Sequence, residues 1–81
     1  MEDQEKIVKD GLVIDNGFVQ IDTEKWKRSK DAINYLQNNN IVDNCYPQLL
    51  KYFEESEQID TVVVETLGGM KFYNVDSYNN N

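Results

Sequence analysis

Gly11-Leu12-Val13-Ile14-Asp15-Asn16-Gly17-Phe18-Val19-Gln20-Ile21 is the stretch that decides the fold. Asn-Gly between two apolar runs is the preferred filling of a two-residue type I′ hairpin, because both central residues need positive φ. Such a turn pairs Ile14 with Val19 and Leu12 with Ile21. Those four side chains then share one face, while Val13 and Gln20 point to the other. One face of this hairpin is core. Asp10-Gly11 is a second turn signal just upstream, so Lys6 to Lys9 reads either as a third strand of a meander or as a short helical turn.

Beyond Ile21 the polar stretch Thr23 to Gln37 has helical character, with Trp26, Ser29, Ile33 and Leu36 recurring at spacings of three and four. Thr23 or Asp22 can cap an early start, and Ser29 followed by Asp31 marks a later one. Both starts share a helix over Lys30 to Asn38, ended by Asn38-Asn39-Asn40. Pro47 suits the first turn of a second helix, where its missing N–H is not needed. Tyr46, Leu49, Leu50 and Phe53 form its apolar face, and it ends near Ser56.

Asp60 to Val75 reads as a second hairpin, built on the β-branched run Val62-Val63-Val64 and turning at Gly68-Gly69. A two-residue loop there pairs Leu67 with Met70, Glu65 with Phe72, Val64 with Tyr73 and Val62 with Val75. Both faces come out apolar: Val62, Val64, Tyr73 and Val75 on one, Val63, Leu67, Met70 and Phe72 on the other. Two short helices cover only one face of a small sheet. The row Val63, Leu67, Met70 and Phe72 is therefore a candidate binding surface for a target or a second copy of the chain, with pairing along the Met70 to Val75 edge as a route to a homodimer. The opposing reading has Ile7 and Val8 fold over this row and bury it.

The expected fold is α+β: two β-hairpins forming one antiparallel sheet of about four strands, with two short helices on one face. The segment 6–76 forms a single domain, between a flexible N-terminus at 1–5 and a disordered polar tail at 77–81. A chain of 81 residues has room for one core only. Its one cysteine, Cys45, forms no internal disulfide, and with no histidine present a zinc site is not expected. A lone thiol and an acidic start, Glu2-Asp3-Gln4-Glu5, without the basic and apolar blocks of a secretion signal, point to the cytoplasm. No apolar run exceeds three residues, against roughly 20 for a membrane span. Ten asparagines and seven lysines against one arginine suggest AT-rich codons, hence a low-GC bacterium or its phage.

The usual parts of an enzyme are missing. There is no histidine for general base work, no Cys-His pair and no phosphate-cradling glycine loop, so a non-enzymatic protein without cofactor or metal is expected. Glu54, Glu55, Glu57 and Asp60 group carboxylates that serve either as a solvated surface or as a partner-binding one. Cys45 at a helix start is either a reactive thiol or a buried structural one.

Charge is distributed unevenly. Lys25, Lys27, Arg28 and Lys30 surround Trp26, and elsewhere four basic residues oppose fifteen acidic ones. The basic segment can grip phosphates while Trp26 stacks a base, or Trp26 can dock on the core. A net charge of −7 argues against specific binding of duplex DNA. In size and acidity the chain resembles phage-encoded inhibitors that imitate DNA phosphates and occupy the clefts of nucleic-acid enzymes, a likeness of composition alone. The sequence thus reads as a small acidic protein-binding module or inhibitor acting on a basic nucleic-acid-processing protein. Its alternative is a nucleic-acid-associated protein working through Lys25 to Lys30.

Overall fold

The computed structural model describes residues 6–78. In chain order the elements are β1 (Lys6–Lys9), β2 (Leu12–Asp15), β3 (Phe18–Ile21), β4 (Trp26–Lys27), α1 (Ser29–Asn38), α2 (Pro47–Glu55), β5 (Asp60–Val64) and β6 (Met70–Asn74). The class is α+β, with both hairpins and both short helices present. The strands, however, are divided between two antiparallel three-stranded sheets, ordered β1-β2-β3 and β4-β6-β5, rather than joined in one.

The first sheet follows its turn. Asn16 and Gly17 stand at φ 51° and 86°, Ile14 faces Val19, and Leu12 faces Ile21. Lys6–Lys9 is the third strand, with Ile7 opposite Ile14. At Gly11, φ 84°, an added Cβ would lie 3.1 Å from Lys25 Cδ and 3.3 Å from Asp22 Cβ, so the turn closes tightly on the next segment.

That segment is not the helix start that Thr23 or Asp22 would have capped. The Asp22 carbonyl accepts from the N–H groups of Lys25 and Trp26, and Asp22 Oδ1 accepts from Glu24 N–H at 3.0 Å, which makes a turn. Trp26 and Lys27 then pair with Asn74 and Tyr73. Burial of the largest side chain in the protein, 1% exposed, outweighs the helical spacing in which it takes part. The later start is the observed one, at Ser29.

Both helices end in Schellman motifs. After α1, Ile41 N–H bonds the Leu36 carbonyl and Asn40 N–H that of Gln37, with Asn40 at φ 59°. After α2, Gln58 N–H bonds the Phe53 carbonyl and Glu57 N–H that of Glu54, with Glu57 at φ 61°.

In the second hairpin the residues Glu65–Leu67 form a 3₁₀ turn, and Val64 faces Met70 rather than Tyr73. The register is therefore three residues away from the one a Gly68-Gly69 two-residue loop would set. An odd displacement exchanges faces. Val62, Val64 and Phe72 now share one face with Trp26, and Tyr73 points to the other.

Two cores result. Tyr73 packs with Ala32, Leu36, Leu50 and Phe53 beneath the helices, while Val62, Val64, Phe72 and Trp26 pack against Leu12 and Ile14 of the first sheet. The second sheet is the middle layer of three. Because both of its faces are apolar, the first hairpin buries more by covering the open face than by extending an edge. Among the described residues, three polar links bind the layers: Lys9 to Asp60 at 3.0 Å, Lys25 to Asp10 at 2.8 Å, and Trp26 Nε1–H to the Asp10 carbonyl at 2.9 Å.

Ser77 and Tyr78, expected in the polar tail, are engaged by the fold. Ser77 Oγ accepts from Asp60 N–H at 2.9 Å and donates to the Asn74 carbonyl, and the Tyr78 ring lies 4.8 Å from that of Phe53. The expectations for residues 1–5 and 79–81 fall outside the described residues. No helix among the described residues is long and apolar enough to cross a membrane.

Candidate functional site

The apolar row read from the sequence is split. Phe72 is 8% exposed and belongs to the core between the sheets, whereas Val63, Leu67 and Met70 are 42%, 40% and 39% exposed. All three stand at the end of the β5–β6 hairpin that the 3₁₀ turn closes. The opposing reading, in which Ile7 and Val8 cover the row, is replaced by a different cover: Leu12 and Ile14 bury Phe72, Ile7 packs against the same core, and Val8 faces solvent. Pairing along Met70 to Val75 is corrected as well, because β6 is the central strand and β4 already occupies its far side at Tyr73 and Asn74.

Carboxylates border this hairpin. Val63 stands opposite Lys71, whose Nζ bonds Glu54 at the end of α2 at 2.9 Å. That hydrogen bond to Glu54 holds the Lys71 ammonium above its ordinary pKa. Glu54, Glu57 and Asp60 line one open cleft of about 500 Å³ together with Ile59, Thr61 and Ser77. Glu55 is exposed on the last turn of α2. The fold thus gathers the acidic residues, but Glu54 and Asp60 are held by Lys71 and Lys9, which leaves Glu55 and Glu57 as the carboxylates of the group outside the ion pairs formed among the described residues.

The basic segment is dispersed. Lys25 bonds Asp10, which raises its pKa, and Trp26 is sealed between the sheets. Lys27 lies 5.3 Å from the centre of the Tyr35 ring and donates to the Thr23 carbonyl, while Arg28 lies 6.0 Å from that of Phe72. Lys30 is exposed at the start of α1. These cations do not converge on an aromatic platform. Cys45 is buried in the helix-side core, and burial pushes its thiol pKa up, opposite to what a reactive thiolate needs.

Sequence reasoning missed one exposed apolar group. Val8 and Phe18 stand out on the outer face of the first sheet, which also carries Val13. The signal was present, since strand alternation puts Phe18 on the Val13 and Gln20 side. Comparison with protein-family models, with characterised proteins and with solved structures finds no match to this chain.

Proposed function

We propose that this chain is a non-enzymatic protein-binding module whose partner presents a basic surface. The observation that carries the reading is the β5–β6 hairpin, which exposes Leu67 and Met70 at its closed end and Val63 on the helix-side face, where Lys71 opposite it bonds Glu54 of the acidic cleft. Exposed apolar side chains with charged groups nearby are the materials of a protein interface. The net charge of −7 selects basic partners and speeds their approach. Inhibition of a basic nucleic-acid-processing protein by a phage-encoded chain is the narrower form of this reading, supported by size and acidity. Buried Trp26 removes the stacking platform on which the nucleic-acid alternative relied.

The test is capture from a low-GC bacterial lysate on the immobilised parent and on a Leu67→Ser, Met70→Ser double variant. Basic proteins held by the parent and lost by the folded variant support the reading. Equal capture by both, or capture only of nucleic acid, overturns it.

A further inference from the structure

The Val75 N–H donates to the Lys25 carbonyl at 2.9 Å, which fixes the side to which each residue of β6 turns its backbone groups. Along an antiparallel strand that side alternates. Val75 and Tyr73 face β4, so Asn74, Phe72 and Met70 face β5 and meet Asp60, Val62 and Val64 there. Thr61 and Val63 must then turn their N–H and C=O groups outward, along an edge that no strand among the described residues covers. Natural edges are blunted by charge, shortness or cover. Of the four edge strands, β1 carries Lys6 and Lys9 and β4 is two residues long, whereas β3 and β5 have neither guard, and only β5 lies beside the acidic cleft. From Thr61 to Val64 β5 has no such guard, and its side chains are strongly strand-forming.

What lies beside this edge gives the sign of its partner. Thr61 lines the same cleft as Glu54, Glu57 and Asp60, and Glu57 is exposed. We propose that the outer edge of β5 is a docking site for an extended, basic segment of a partner protein, which adds as a fourth strand to the β4-β6-β5 sheet. Backbone pairing to Thr61 and Val63 supplies the register, as in other strand-addition complexes. A residue opposite Thr61 projects toward the α2 end, where a lysine or arginine meets Glu57. A second copy of this chain is the weaker fit, since it brings another −7 to the same place.

The inference rests on the protein-binding reading and is tested apart from it. The probes are fluorescent peptides of about eight residues, enough to span the strand, alternating lysine with valine or glutamate with valine. Titrated into the full chain, the lysine peptide should bind with Kd between about 10 µM and 1 mM and shift the amide resonances of Thr61 and Val63. Val63→Pro, which removes an outward N–H and leaves the β6 ladder intact, should abolish binding. Glu57→Lys should weaken it about threefold to tenfold and keeps the test open if the proline variant fails to fold. Equal binding of the acidic peptide, shifts confined to other strands, no binding at about 1 mM, or self-association of the parent through the β5 amides would each overturn the proposal. If the peptides fail while the Leu67→Ser, Met70→Ser variant still loses its captured partner, the edge is wrong and the module reading stands.

Discussion

The Trp26 indole N–H donates to the carbonyl of Asp10 at 2.9 Å, tying the middle sheet to the turn that opens the first hairpin. The same turn offers the Asp10 carboxylate to Lys25 at 2.8 Å and the Gly11 carbonyl to Asp22 N–H at 2.7 Å. One tryptophan therefore both fills the space between two layers and fixes their relative position. Trp26→Phe removes volume from the core between the sheets and the indole's hydrogen bond to the Asp10 carbonyl, so a loss of about 1 to 3 kcal/mol is expected in urea unfolding. A loss under about 0.5 kcal/mol would mean the indole is not the tie between the layers.

Glu57 occupies a left-handed position where glycine is the usual residue. Glu57→Gly should raise stability by about 0.5 to 1 kcal/mol, because the strain goes while both Schellman hydrogen bonds remain. It should also weaken the lysine peptide. A thermal scan in which the variant melts below the parent counts against this account of the α2 end.

Gly17, at φ 86°, has nothing within 4 Å of an added Cβ, so only backbone strain opposes substitution there. Gly17→Val should cost about 1 to 3 kcal/mol, a large share of what so small a domain has. Equilibrium denaturation measures it, and an unchanged midpoint would place the turn elsewhere.

The row that the sequence kept together divides in mutation. Phe72→Lys buries a charge between the sheets and should unfold the chain, whereas Met70→Lys should leave circular dichroism unchanged and stability within about 0.5 kcal/mol. A folded Phe72→Lys variant would contradict the three-layer arrangement.

Among the described residues four ionisations are displaced upward: Cys45 and Tyr73 mainly by burial, Lys25 and Lys71 mainly by hydrogen bonds to Asp10 and Glu54. A raised value means the folded chain keeps protons that the unfolded chain releases. The stability from these groups is complete below their ordinary values of 9.0 for cysteine, 10.0 for tyrosine and 10.5 for lysine, and is lost as pH rises through the raised ones. The melting temperature should fall from about pH 9 upward, and Cys45→Ala should delay the onset to about pH 10. A flat profile from about pH 8 to pH 11 contradicts this.

What the sequence determined by itself is local. Asn16-Gly17 set the turn, the register and the buried face of the first hairpin, because its positive φ values admit one hairpin geometry. Asn40 and Pro47 punctuated the helices for equally local reasons, and the absence of histidine was visible before any fold. Tertiary structure decided the rest. Trp26 sits at helical spacing, yet joins a strand because the space between two sheets takes its whole side chain. Glu65–Leu67 leave the strand for a 3₁₀ turn, which brings Phe72 beside Val62 and Val64 against Leu12 and Ile14. Neither choice follows from neighbours in sequence. Each depends on apolar surface buried between elements dozens of residues apart, and that burial outweighs the local preference it overrides.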